Sequence, residues 1–457
     1  MSDAATVPPP SPPAAPTSVA RSLASGFGPG LKLVAVGVLL LVMLVPDGMI
    51  GDVIRDRESY QERVRDDIAR SWGPAQSVLG PVLVVPTRAP LPRAPGEIGP
   101  VRYQRSAVTV LPTRLRAEAR LAPERRRRGL FEAVVYSADL SLTGTFVVPP
   151  VEAAPDVEVL WREAHLLSGA SDLRAAADEA RLSFDGRTLT PGEAPEEACR
   201  GYELLRWDLG LEGPPAADRT IPFAGALPLR GTGSLHLLTR ARRTELEMTA
   251  PWPTPSFTGS GLPVRSEVTG AGFSAAWSEA GAAGASLRGV GPCESVAARS
   301  VGVELLEAVP TYRMVTRASK YSVMFLALSF LTYALFEMIA GVRIHLIQYG
   351  MLGLSVVLFP LLLLGFGEPL GFATAYAISA GAVMAQASAY TGAVTRRVGL
   401  AAVFAGVLGA LFGFLYVVLS LESYALLTGA VALFAALSLV MVVTRRVEWG
   451  GREARSA

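Results

Sequence analysis

TRASKYSVMFLALSF, Thr316–Phe330, is where the chain changes character. Arg317 and Lys320 stand directly against an uninterrupted apolar run that opens at Tyr321. Upstream lies a long succession of short alternating runs; downstream the sequence is mostly apolar. Cations at a span's edge usually mark the cytoplasmic side. The side on which this pair falls therefore tests how the whole chain is threaded.

Downstream, five apolar runs follow: Tyr321–Ile339, Tyr349–Gly365, Gly371–Tyr390, Gly399–Leu421 and Ala425–Val443. Each is near the length of about 20 residues that crosses a bilayer as a helix. A sixth run, LKLVAVGVLLLVMLVPDGMI (Leu31–Ile50), lies far upstream. It sits behind a long tail and no small-x-small cleavage site follows it, so the expectation is an uncleaved anchor over 31–51. The short connections sort by charge. VRIH (Val342–His345), VTRR (Val394–Arg397) and TRRVEWGGREAR (Thr444–Arg455) carry arginine, while GEPLG (Gly367–Gly371) and LESY (Leu421–Tyr424) carry only Glu368 and Glu422. Short loops obey the positive-inside bias. Both termini are therefore expected on the cytoplasmic side and the intervening domain outside. Arg317 and Lys320 then fall on the outer face, against the usual bias.

Between the first and second spans the texture is different. DVIRDRESYQERVRDDIARSWG (Asp52–Gly73) places Tyr60, Val64, Ile68 and Trp72 four residues apart, which predicts a charged leading helix over 52–72 with a narrow apolar stripe. From about Ser77 to Val309, runs such as VLVVP, SAVTVLP, FEAVVYSADLSLTGTFVVP and TELEMTAP alternate apolar and polar residues between Pro/Gly turns. The fold class expected is an all-β, sandwich-like antiparallel domain ending near 318, followed by a helical bundle over 319–446, six spans in all. A helical insert is expected near SDLRAAADEARL (Ser171–Leu182). Residues 1–30 read as a disordered Pro-rich tail and 447–457 as a second tail.

Composition narrows the function. Half of the 457 residues are hydrophobic and the net charge is only +2, which gives no general argument for nucleic acid. Arginine dominates the basic residues; lysine occurs only at Lys32 and Lys320. No phosphate-binding, serine-hydrolase, zinc-protease or dinucleotide signature is present. His165, His236 and His345 are far apart, so a metal site or triad is not expected and no cofactor is implied. Cys199 and Cys293 fall in the outer domain, where a disulfide is allowed, although spacing does not show that the two meet.

Several groups could bear on function. Glu337 lies near the cytoplasmic end of its span, and an ionisable residue in a membrane is a functional suspect. Arg343 or His345 are its expected partners across the turn, and His345, Gln348 and Tyr349 share a helix face, most simply as cap and anchor. Ala402, Gly406, Gly409 and Gly413 form a small-residue face suited to close helix packing. WPTPSFTG (Trp252–Gly259) is too proline-rich for a central strand. Trp252 and Phe257 either pack down at an edge or, with Trp277, present an aromatic interaction surface. ERRRRG (Glu124–Gly129) is either a solvated turn or a patch for anionic lipid or a partner.

A set of stretches in fixed order resembles the CreD family of Gram-negative inner-membrane proteins. They are GPVLVVP (Gly80–Pro86), RGLFEAVVYSADLSLTGTF (Arg128–Phe146), WPTPSFTG, GFSAAW (Gly272–Trp277), YRMVTRASKY (Tyr312–Tyr321), FEM (Phe336–Met338), RIHLIQYG (Arg343–Gly350), LESYALLTG (Leu421–Gly429) and TRRVEW (Thr444–Trp449). The resemblance implies one anchor, a periplasmic domain and a C-terminal bundle. It also implies a link to cell-envelope integrity, β-lactam response and colicin tolerance, and it supplies no reaction. The expected function is therefore binding or scaffolding in the envelope. Beyond the lipid bilayer, the partner would be an envelope protein, peptidoglycan or anionic lipid. A transporter or flippase, which would show a polar cavity around Glu337 and Pro360, and a membrane enzyme on lipid or peptidoglycan precursors are the alternatives. Arg317, Lys320 and Tyr321 are expected to grip the outer headgroup layer, the cations by snorkelling to phosphate and the ring as an interfacial anchor.

Overall fold

The structure is a computed structural model that describes residues 29–91, 100–148, 156–175, 179–194, 201–216, 219–281, 286–288, 299–306, 311–421 and 425–445. The Pro-rich tail to residue 28, Cys199, Cys293, Glu422 and the C-terminal tail lie outside those residues. The chain divides into two units, one over Ser59–Pro310 and one formed by Met1–Glu58 with Thr311–Ala457.

Helix α1 (Pro29–Trp72) opens the chain as a single helix of 44 residues. The apolar anchor and the charged leading segment, expected as two elements, are thus one. Pro46 lies inside the helix and does not end it. Gly73 does: its φ of +145° is open only to glycine at low cost, and a side chain there would press on the carbonyl of Arg230.

The β unit runs β1 (Gln76–Pro90), β2 (Tyr103–Val110), β3 (Arg114–Arg128), β4 (Phe131–Val147), β5 (Glu158–Val159), β6 (His165–Ala170), β7 (Arg181–Phe184), β8 (Arg187–Leu189) and β9 (Gly192–Glu193). It continues with β10 (Glu203–Asp208), β11 (Thr220–Thr232), β12 (Ser234–Leu238), β13 (Arg243–Ala250), β14 (Pro255–Gly259), β15 (Arg265–Thr269), β16 (Gly272–Ala280), β17 (Ser286–Arg288) and β18 (Ser300–Leu305). These form two sheets. One runs β14-β18-β12-β1-β6-β10-β9, with β2, β5 and β17 beside it; the other runs β15-β16-β13-β3-β4-β11-β7-β8. One continuous core takes side chains from both, among them Leu83, Leu166 and Val303 from the first and Leu140, Phe146 and Trp277 from the second.

Strand β1 explains its own sequence. It is central and buried on both faces, with Leu83 and Val85 in the main core and Val82 and Val84 in a smaller cluster on the opposite side. A strand buried twice reads as a continuous apolar run, which is why VLVVP does not alternate. Pro81 is tolerated because the pairing with β6 shifts register between Leu79 and Val82.

Two expectations are corrected here. The sheets are not wholly antiparallel: β1 pairs with β12, and β3 with β13, in parallel. The stretch Ser171–Leu182 holds no helix among the described residues; Leu182 lies in β7, packed opposite Gly225. Residues 176–178, at the centre of that stretch, lie outside the described residues.

The second unit contains α2 (Thr311–Ala340), α3 (Leu346–Val357), α4 (Phe359–Leu370), α5 (Phe372–Thr395), α6 (Val398–Ser420) and α7 (Ala425–Thr444). Among the described residues, four stretches are long and apolar enough to cross a membrane: α1, α2, α3 with α4 as Leu346–Leu370, and α6. α3 and α4 meet at Leu358, two residues before Pro360, whose missing N–H and ring account for the break. α5 has the length, but Tyr376, Ser379, Gln386 and Thr391 dilute its hydropathy.

Aromatic rings fill the bundle interior. Tyr333 meets Tyr349 at 5.5 Å and Phe404 at 5.1 Å, while Phe359 meets Tyr376 at 5.5 Å and Phe412 at 4.8 Å. The small-residue face of α6 is not the packing face. Ala402, Gly406 and Gly413 are exposed, and only Gly409 is approached closely, by Met384. α6 turns Phe404, Leu408, Phe412 and Leu415 inward instead, since large side chains bury more apolar area than glycines.

Candidate functional site

The polar residues of the membrane unit gather into clasps that hold α1 against α2. Lys32, in the first turns of α1, forms an ion pair with Glu337 near the end of α2, and its Nζ also donates to the carbonyl of Ile344 at 2.7 Å. The Tyr349 hydroxyl lies beside the same carboxylate. On the next turns inward, Tyr333 and Thr391 share a buried hydrogen bond of 2.7 Å. Further along, the Ser322 hydroxyl donates to Asp47. Each helix carries its two anchors fifteen positions apart, so the helices run antiparallel in constant register for about 22 Å. A third contact, Tyr312 Oη to Glu368 Oε1 at 2.7 Å, ties the start of α2 to the last turn of α4.

This arrangement corrects the partner expected for Glu337. Gly341, at φ +65°, ends α2 in a left-handed turn, and Arg343 and His345 beyond it point to the exposed side. His345 caps α3: its Nδ1 accepts from the N–H of Ile347 at 3.3 Å, and Gln348 accepts from the His345 N–H at 2.8 Å. Tyr349 parts from these two and is buried against Phe330 and Tyr333. Arg397 donates to the carbonyl of Ala340 at 3.3 Å. Lys32, Asp47 and Tyr312 were not singled out from the sequence. The signal for Lys32 was there: a lysine in an arginine-rich chain, set in the first turn of an apolar run.

Arg317 and Tyr321 are half-buried and Lys320 is exposed, all on the early turns of α2. Neither Arg317 nor Lys320 makes a hydrogen bond or ion pair among the described residues.

In the β unit, the aromatic interaction surface is overturned. Trp252 is buried and donates its indole N–H to the carbonyl of Leu306 at 2.9 Å. Trp277 lies in the core, and Phe257 packs edge-on to Trp277 and Phe273 at 5.7 and 5.8 Å. The prolines instead fix β14 at a sheet edge. The ERRRRG arginines are likewise not in a turn. Arg125–Arg128 are the last four residues of β3, and the turn is only Gly129-Leu130. Their guanidiniums are engaged within the chain: Arg126 over Trp72 at 4.3 Å, Arg125 over Trp252 at 5.6 Å, Arg127 with Glu132, and Arg128 with Asp67 at 3.4 Å.

His165 and His236 stand on different strands of the ten-stranded sheet. His165 Nδ1 lies 2.9 Å from the carbonyl of Glu163, and His236 Nε2 lies 2.8 Å from the Thr258 hydroxyl. Burial pushes both pKa values below the ordinary histidine value. Both rings therefore bind a proton less readily in the fold than in the unfolded chain, which takes up protons near pH 6.5. Stability from this source is therefore present above about pH 6.5 and lost as pH falls through it. The urea midpoint of the β unit is expected to drop between about pH 7 and pH 5, and H165Q/H236Q to flatten that drop. Among the described residues, no group of three or more His, Cys, Asp or Glu side chains is placed to hold a metal ion. A cleft of about 400 Å³ at the end of the eight-stranded sheet, lined by Leu121, Thr249, Pro251 and Phe273, offers Glu267 as its one charged group.

Apolar helices clasped by isolated polar pairs, with a two-sheet unit inserted between the first helix and the rest, define a multi-helix membrane protein. The family model described as inner membrane protein CreD matches residues 29–450. Inner membrane protein CreD of Escherichia coli (strain K12) is 30% identical over 432 residues, which cover 92% of this chain and 93% of that protein. The chain belongs to the CreD family. A zinc metallopeptidase structure from Deinococcus radiodurans is 10% identical, covering 75% of this chain and 95% of that one, but at a TM-score of 0.20 the likeness carries no argument.

Proposed function

We propose that this protein supports cell-envelope integrity, and resistance to envelope stress such as that from β-lactams, by binding and scaffolding rather than by catalysis. In this reading the chain crosses the inner membrane six times, both termini are cytoplasmic, and the β unit works in the periplasm. The observation that carries it is the pair of clasps, Lys32–Glu337 and Asp47–Ser322, on the two helices that bracket the β unit in sequence. Ionisable groups inside a membrane are costly unless they are paired, and here an ion pair and a hydroxyl–carboxylate hydrogen bond join the helix before the β unit in sequence to the helix after it. The ring packing of Tyr333, Tyr349 and Phe404 beside Glu337, and of Phe359 and Phe412 beside Pro360, supports a scaffold over a conduit. Arg317 and Lys320 snorkel to lipid phosphate.

The test is photo-crosslinking in living cells from exposed positions of the β unit, followed by identification of the adducts. Adducts with an envelope protein or with peptidoglycan are expected. Recovery of lipid alone would overturn the scaffold in favour of lipid translocation.

A further inference from the structure

Strand β15 ends the eight-stranded sheet, with β16 on one side and no strand on the other among the described residues. Cross-strand partners share a face of a sheet. Ser266 stands opposite Ala275 and Val268 opposite Phe273, both core residues, so Ser266 and Val268 lie on the core side. That side is left uncovered here: Val268 is 49% exposed, and the adjoining Val264 and Leu262 are 67% and 77% exposed. Arg265 and Glu267 lie on the outer side, and neither forms an ion pair among the described residues. An open edge with apolar side chains is a template for another strand, and folds usually blunt such edges.

The sequence of this edge is complementary to itself. Set antiparallel to a copy and centred on Ser266, PVRSEVT places Arg265 opposite Glu267 twice and Val264 opposite Val268 twice. Shifting the centre to Glu267 would instead set the two glutamates face to face. Like charges directly opposite are destabilising, so one register is favoured. We propose that β15 is a homodimer seam, in which a second copy of this chain adds its own β15 antiparallel about Ser266 and joins the two eight-stranded sheets. The interface is isologous, as a two-fold dimer requires. Confinement of both copies to one bilayer raises their effective concentration, so a short seam suffices.

Disulfide trapping of the full chain in native membranes, with Cys199 and Cys293 replaced by serine, tests this. In the proposed register the two Ser266 residues face each other at about 5 Å between Cα atoms, within the span of a disulfide. S266C is expected to give a strong dimer on mild oxidation. T269C, whose copies would lie roughly 20 Å apart along the seam, is expected to give none. R265E in the S266C chain sets Glu against Glu267 and is expected to cut the dimer at least fivefold, and adding E267R to restore it. The restored double variant shows that any loss in R265E is not misfolding. Equal trapping at S266C and T269C, or failure of E267R to restore the dimer, would overturn the seam. So would an S266C adduct to a different polypeptide, which would assign the edge to another protein's extended segment.

Discussion

Glu337→Ala is expected to destabilise the membrane unit by about 2–4 kcal/mol, because it strands a lysine rather than merely removing a contact. The side chains of Lys32 and Glu337 are only 30% and 25% exposed. With the carboxylate gone, the ammonium keeps the Ile344 carbonyl and little else. Lys32→Ala is expected to cost less, since Glu337 is a quarter exposed at the end of its helix and can turn its carboxylate to solvent. The double variant removes both charges and should be more stable than the sum of the single losses implies, with a coupling of about 1–3 kcal/mol. The reversal K32E/E337K is a sharper probe. It restores the opposite charges, but a carboxylate at position 32 cannot donate to Ile344, so recovery should be partial. Thermal unfolding in detergent reads all four, with a fall of roughly 5–15 °C for Glu337→Ala. A loss below about 1 kcal/mol would mean that solvent already screens the pair, and the clasp would no longer support the scaffold.

The two textures of the chain were legible because each repeats a local period. Long apolar runs marked the helices to within a few residues in most cases, and alternation marked strands such as β4 and β13. What failed were relations between distant segments. Glu337 has Arg343 and His345 close in sequence, but its partner is 305 positions away, and no periodicity encodes that distance. The parallel pairing of β1 with β12, which sets Gln76 beside Leu235, is also between segments far apart in sequence, at about half that separation. WPTPSFTG supported two readings, and the edge with its rings packed down is the one the fold takes: the prolines mark the edge strand β14, and Trp252 and Phe257 face the core instead of forming an interaction surface. The small-residue face of α6 was a true pattern without its expected contact, since the Phe and Leu residues of the same helix took the packing. The ERRRRG run hid two features at once. Its arginines extend β3, and three of their partners, Asp67, Trp72 and Trp252, lie on elements that sequence proximity does not connect.

Gly144→Ala is expected to destabilise the β unit by about 2–4 kcal/mol, at the high end for adding one methyl group. Gly144 lies on the core side of β4, between Leu142 and Phe146. Directly across on β11 stands Phe223, whose ring covers the glycine and meets Phe146 at 5.1 Å between centroids. An aromatic laid over a strand glycine is a way of filling the space that the missing side chain leaves. A methyl group at position 144 would come within 2.6 Å of that ring and would also collide with the backbone carbonyl of Arg114. A ring can swing away; a carbonyl inside the β3–β4 ladder cannot move without opening the ladder. The companion variant Phe223→Leu separates the two causes. Alone it costs about 1 kcal/mol of packing; combined with Gly144→Ala it should relieve the ring clash and leave the backbone clash in place. Urea unfolding of the full chain followed by tryptophan fluorescence reports on this core directly, because Trp277 and Trp207 lie in it. If the double variant returns to the stability of Phe223→Leu alone, the backbone clash is absent and β4 has room to move. If it stays low, the long β3–β4–β11 ribbon is held at a spacing that only glycine allows at this position.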